Sequence, residues 1–124
     1  MFEKVFVYGT LMKNRSNHHL LENQKFVGTA VAEGIALYDV TPYYPAAVRK
    51  PNSKVIGEVY EVDADTLSEL DELEDNGVLY QREIIPVTIL ESKNTVNAWI
   101  YLWLHEVSDN LLVPFDEQPW KLHG

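Results

Sequence analysis

Cysteine is absent from the 124 residues, which excludes a disulfide framework, a thiolate zinc site and a cysteine nucleophile. A reducing compartment fits. Basic residues are also scarce, 10 Lys and Arg against 19 Asp and Glu, for a formal charge of −9. Nucleic acid and anionic membranes need clustered Lys and Arg to neutralise phosphate, so neither is an expected partner. No apolar run reaches the length of a membrane span. The opening Met1-Phe2-Glu3-Lys4 lacks the basic flank and long apolar stretch of a signal peptide, making the cytoplasm the expected location. Fixed-period repeats, low-complexity stretches and linkers are missing too.

What is present suits a folded domain: 46% of residues are hydrophobic, and Gly and Pro number only six each. The length fits one domain, residues 1–124, with 105–124 as a peripheral C-terminal tail interrupted by Pro114 and Pro119. Val5 to Tyr8 reads as a short buried strand stopping at Gly9-Thr10, and one or two helical turns are predicted over His18 to Asn23. β-Branched residues and alternation predict one or two strands from Lys25 to Val40, bent near Glu33-Gly34, before a turn at Pro42 to Pro45. Further strands are predicted at Ala46 to Arg49, Val55 to Val62, Arg82 to Leu90 and Val96 to Leu104. Pro51-Asn52-Ser53 and Ser92-Lys93-Asn94 supply turns. Many strands with one main helix make the fold class α+β, with a curled or barrel-like sheet that hides its edges.

That helix starts at Asp63, a good N-cap, repeats Leu67, Leu70 and Leu73, and stops at Asn76-Gly77. At about 100° per residue the three leucines define the face toward the core. Asp65, Ser68, Glu69, Glu72 and Asp75 fall mainly on the other side. Glu74, four residues after Leu70, projects instead from the apolar stripe, roughly 40° from its centre. A carboxylate aimed at a core must find hydrogen bonds or a cavity. It then either ties down a neighbouring loop or, its pKa raised by burial, serves as a base near neutral pH. At the other candidate position, Tyr8-Gly9-Thr10-Leu11, a glycine sits where a core strand leaves the sheet. It permits backbone angles that turn successive N–H groups to one side as a nest for a carboxylate; an ordinary strand-to-loop turn is the alternative.

Together these signals resemble the γ-glutamylcyclotransferase-like family, of the short γ-glutamylamine cyclotransferase type. The opening motif is Val5-Phe6-Val7-Tyr8-Gly9-Thr10-Leu11, and the catalytic helix with its following strand is Leu70-Asp71-Glu72-Leu73-Glu74 and Leu79-Tyr80-Gln81-Arg82. Tyr44-Pro45-Ala46, Gly57-Glu58-Val59-Tyr60 and Ala98-Trp99-Ile100-Tyr101 match between and after them, so that the resemblance covers residues 2 to 104. It implies a compact mixed β-barrel with flanking helices, whose cavity admits a γ-glutamyl group. It further implies a substrate end held by backbone groups of Tyr8 to Leu11 and proton transfer by Glu74. The reaction implied is intramolecular: the substrate's α-amine attacks its γ-carbonyl, releasing 5-oxoproline and a free amine. Tyr80, Arg82 and Tyr101 are candidates to line or brace the pocket. The leaving amine stays open among the ε-amine of lysine, a polyamine, an amino acid and a larger metabolite, and a non-catalytic binding module with the same pocket is the alternative reading.

No metal or other cofactor is expected. His18 and His19 point about 100° apart on a helix, whereas helical metal pairs use a spacing of three or four, and a surface role is expected for them as for His105 and His123. No P-loop, dinucleotide fingerprint or serine elbow is present. Trp99 and Trp103 are predicted to share one buried sheet face, which argues against an exposed aromatic patch with Trp120.

Overall fold

Alternating apolar residues become strands in a computed structural model that describes residues 2–121; Met1 and residues 122–124, with the expected surface residue His123, lie outside it. β1 (Phe2–Val7), β2 (Lys25–Tyr38), β3 (Ala46–Asp63), β4 (Tyr80–Ile89) and β5 (Thr95–Trp103) pair in the order β3-β1-β5-β4-β2, and β2 pairs back onto β3. The result is a closed five-stranded barrel with no free edge among these strands. β1 runs parallel to β5 and antiparallel to β3, so the barrel is mixed. The α+β class and barrel architecture expected from the sequence are those observed, with, among the described residues, one α-helix, α1 (Ala64–Leu73), and short 3-10 turns beginning at His18, Asp109 and Phe115.

The strands explain their own irregularities. Pro51-Asn52-Ser53 does not end a strand; it forms an excursion within β3. Glu33 pairs with Lys54 and Ile35 with Arg49, so Gly34 alone faces residues 50–53. Both sides use left-handed backbone there, with φ 77° at Gly34 and 64° at Asn52. On β5, Ala98, Ile100 and Leu102 are buried on one face, and the pairing of Ile85 with Ala98 puts the buried Ile85, Val87 and Ile89 of β4 on the same face. Trp99, Tyr101 and Trp103 therefore take the opposite face.

Trp99 and Trp103 share that face as predicted, but are half-buried rather than buried. Trp99 donates to Glu3 Oε2 at 3.0 Å, and Trp103 packs against Tyr44, Tyr80 and His105. Trp120 is the buried one, 2% exposed, and its indole N–H donates to Asp39 Oδ1 at 2.8 Å. The chain after His105 crosses the outside of the barrel through β6 (Leu112–Val113), which pairs with Leu37 and Tyr38 of β2. Gln118 then accepts from the Ile56 amide and donates to the carbonyls of Lys54 and Val113.

Candidate active site

Asp63 caps α1 by accepting from the Thr66 amide at 2.8 Å. The buried ridge of the helix is Thr66 and Leu70, spaced by four, while Leu73 is 40% exposed; the apolar stripe is narrower than the three leucines suggested. Glu74 continues that ridge by four more residues. It is the C-cap, still right-handed at φ −85°, and its amide donates to the Leu70 carbonyl, so the last turn holds its side chain in register with Leu70. The stop comes one residue before Asn76-Gly77. Asp75 takes φ 51°, its amide donates to Glu72 O and that of Asn76 to Asp71 O, the paired bonds of a Schellman closure.

The opening turn is built from its carbonyls outward. Gly9 O accepts from the Met12 amide, Thr10 O from the Asn17 amide, and Leu11 O from His18 Nδ1 at 2.9 Å. Asn17 Nδ2 adds a bond to Thr10 Oγ1. His18 is thus a brace for this turn rather than a plain surface residue. With the three carbonyls engaged, no hydrogen bond among the described residues uses the N–H of Gly9, Thr10 or Leu11. Gly9 has its importance for a different reason from the one its sequence context suggested. Positive φ occurs at Gly34 and Gly77, not at Gly9. A side chain at Gly9 would instead place its Cβ 2.8 Å from Pro45 Cδ, so the glycine allows the opening turn to lie against Pro45.

These pieces meet where the end of β1, the end of α1 and the outer face of the β4–β5 ribbon converge. A narrow cleft of about 30 Å³ is lined by Tyr8 to Leu11, Tyr44, Pro45, Glu74, Tyr80 and Tyr101. A wider compartment of about 240 Å³ shares Thr10, Tyr44, Glu74 and Tyr80 with it. The phenols are tied back: Tyr8 donates to the Tyr101 carbonyl at 2.6 Å, Tyr80 to the Pro45 carbonyl at 2.7 Å, and Tyr101 to Asp71 Oδ1 at 2.7 Å. Burial above all raises the three phenol pKa values, with Glu74 adding to each, and keeps them neutral donors. No described residue donates to the Glu74 carboxylate. Burial pushes its pKa from 4.5 up to about 7, the value of a group that exchanges protons near neutrality.

Seven of the eight residues singled out in the sequence, Tyr8, Gly9, Thr10, Leu11, Glu74, Tyr80 and Tyr101, therefore share one cleft. Arg82 does not. Its guanidinium forks onto Asp71 at 2.9 and 3.2 Å and lies 4.1 Å from the Trp99 ring centre, bracing the helix end from behind the wall. The sequence assigned no pocket role to Tyr44 and Pro45, read as turn and motif residues, or to Asp71, read only as part of the helix motif. A signal for the first two was present in the Tyr44-Pro45-Ala46 match. Among the described residues no group of three or more His, Asp and Glu is placed to hold a metal ion, and no helix is long and apolar enough to cross a membrane.

A closed mixed barrel in which the turn after the first strand shares a cleft with a desolvated carboxylate defines a class of small pocket proteins. The particular family is set by comparison: residues 5–122 match the description "Gamma-glutamyl cyclotransferase, AIG2-like", and the chain belongs to that family. The gamma-glutamylcyclotransferase family protein YtfP of Escherichia coli is 34% identical over 110 residues, covering 89% of this chain and 90% of the relative. A relative from Methanocaldococcus jannaschii is 39% identical over 104 residues, covering 82% and 84%. The crystal structure of an AIG2-like protein from Mus musculus is similar, with a TM-score of 0.81, 29% identity and coverage of 94% of this chain and 86% of that one.

Proposed function

We propose that this chain cyclises the γ-glutamyl group of an amine or amino-acid derivative, releasing 5-oxoproline and the free amine, in the manner of a γ-glutamylamine cyclotransferase. The observation that carries the reading is that the desolvated Glu74 carboxylate and the opening turn, whose N–H groups make no hydrogen bond among the described residues, line one cleft. The N–H groups of Gly9 to Leu11 bind the substrate α-carboxylate, a charge-assisted contact that turns the α-amine toward the γ-carbonyl. The amine nitrogen attacks the γ-carbon, forming the ring C–N bond. Glu74 accepts the proton lost from that nitrogen. As the bond to the leaving nitrogen breaks, Glu74 returns the proton to it and is regenerated. Holding both reacting groups in one molecule and one cleft supplies much of the rate advantage.

Glu74→Gln keeps shape and hydrogen-bonding capacity while removing the proton acceptor. Measured by 5-oxoproline release, kcat should fall by about 10²–10⁴-fold, with the variant folded and its melting temperature equal or higher, because an amide is cheaper to bury than a carboxylate. Glu72→Gln, on the exposed side of the same helix, should change little. Full turnover by Glu74→Gln would remove Glu74 from the mechanism. Tight binding of γ-glutamyl compounds with no 5-oxoproline formed by the parent would favour a binding module instead.

A further inference from the structure

Apolar packing does little to fix the place of Glu74. Leu70 is the last buried residue of α1, and the next along the chain is Tyr80. Between them Glu72, Leu73 and residues 75–78 are exposed, while Asp71 and Leu79 are half-buried. Glu74 is half-buried as a whole residue, its carboxyl end being the desolvated part. No described residue donates to that carboxylate. The bonds that do tie down this turn are polar, and they converge on Asp71. Its carboxylate takes both arms of the Arg82 guanidinium, at 2.9 and 3.2 Å, and the Tyr101 hydroxyl at 2.7 Å, joining the helix to β4 and β5 together. Its backbone carbonyl accepts from the Asn76 amide, and Asn76 Oδ1 accepts from the Arg82 amide at 2.9 Å. These bonds leave the chain three residues before Glu74, rejoin it two residues after, and close on Arg82. The side chains of Arg82 and Asp71 are only 20% and 26% exposed, so solvent screens their ion pair weakly.

Given the cyclisation reading above, on which this rests, we propose that Asp71 and Arg82 act as one positioning device for the reaction, a clamp that holds the last turn of α1 on the β4–β5 ribbon so that the Glu74 carboxylate stays in the narrow cleft. Neither residue touches the cleft; both act through Glu74 and Tyr101, which line it. The clamp works against a local cost. Asp75, the residue after Glu74, is held at φ 51°, a geometry that strains a side-chain-bearing residue. Without the fork onto Asp71 that turn loosens, and the carboxylate moves toward the wider compartment that it also borders, where water reaches it. A base displaced in this way loses its alignment with the substrate amine, although the fold and the opening turn persist.

The test is the pH profile of 5-oxoproline release by Arg82→Gln, with whichever of a panel of γ-glutamyl amides and γ-glutamyl amino acids the parent turns over. Facing the Glu74 carboxyl are the phenols of Tyr8, Tyr44, Tyr80 and Tyr101, from the segments after β1 and before β3 and from β4 and β5. In the 3-10 turn against α1, His18 is taken up by the Leu11 carbonyl and His19 is exposed, and on β3 Glu58 accepts from Tyr60. Removing the Arg82 charge by itself would move the ascending limb of kcat/KM to higher pH, because a cation favours the ionised carboxylate. Release of Glu74 into water moves the limb the other way, from about 7 toward the 4.5 of a solvated glutamate. The limb of Arg82→Gln should therefore fall, with kcat lowered by up to about 100-fold and KM little changed, since the opening turn keeps its own bonds. Asp71→Asn combined with Arg82→Gln should lose no more kcat than the worse single variant, as expected of one device. Arg82→Lys keeps the charge but cannot fork onto the carboxylate; it should show the same downward shift with a smaller loss of kcat, and it carries the test if Arg82→Gln does not fold. A limb that stays in place or rises in the folded variants, or losses that add in the double variant, would overturn the assignment and leave the cyclisation reading standing. No 5-oxoproline from the parent with any member of the panel would instead remove the cyclisation reading and this inference with it.

Discussion

A single carboxyl group sets the pH behaviour expected of this protein. Burial raises Glu74 from 4.5 to about 7, so the folded chain holds this proton more tightly than the unfolded chain does. The stability linked to that proton is fully present below about pH 4.5 and is lost as pH rises through about 7. Unfolding free energies of the parent and Glu74→Gln, measured from pH 4 to 8, should diverge in favour of the glutamine variant across that window and run parallel above it. The proposed mechanism uses the ionised form, so kcat/KM should climb as pH rises toward 7 and then level, with the ascending limb absent from any residual activity of the variant. Gly9 gives a second expectation at this scale. Gly9→Ala, whose Cβ would fall 2.8 Å from Pro45 Cδ, should cost about 1–3 kcal/mol in denaturant unfolding and raise KM by shifting the opening turn. Glu74 was legible in the sequence because a helical period exposes any charge that breaks it. The reason for Gly9 was not, because a sequence shows the glycine but not the proline ring that approaches it from 36 positions away.

Among the elements, α1 ends on a strained residue. Asp75 adopts φ 51°, where a Cβ is costly, and it is an acid at the negative end of a helix. Asp75→Gly should therefore add about 0.5–1 kcal/mol of stability by thermal or denaturant melting, the gain reduced by the greater freedom of glycine in the unfolded chain. The same comparison locates what alternation alone conveyed about the ribbon. β4 and β5 were visible to within two residues, and their register sets Arg82 opposite Tyr101 on one face. That face alone does not say which neighbour each side chain takes. Arg82 goes to Asp71 because the helix end lies over it, a tertiary fact with no local signal. The excursion at residues 50–53 was read as a turn between two strands for a similar reason: its Pro and Asn mark a departure from regular pairing, and only the partner strand shows that pairing resumes on both sides.

Across the molecule, Arg15 couples the described part of the chain after His105 to the segment that follows the opening turn. Arg15, in the segment that follows the opening turn, donates twice to the Trp120 carbonyl, while the Trp120 ring is buried against the barrel. Trp120→Ala should lower stability by about 3–5 kcal/mol, and at temperatures where the variant remains folded its KM should exceed that of the parent, because the backbone carbonyl that Arg15 binds is no longer held in place by a buried ring. An unchanged KM in a folded variant would separate the tail from substrate binding. The closure of the barrel has a further consequence, for the order in which the chain acquires activity during synthesis. β1 is made first, yet it lies between β3 and β5, and its neighbour Trp99 emerges 94 residues after Val5. The opening turn hangs from β1, and the carbonyl that receives the Tyr8 hydroxyl belongs to Tyr101. A nascent chain lacking β5 thus carries Glu74 and the amides of the turn but no wall to hold them face to face. Pairings of such long sequence separation close slowly, so in refolding experiments recovery of 5-oxoproline release should coincide with the last change in tryptophan fluorescence, with no active species before it.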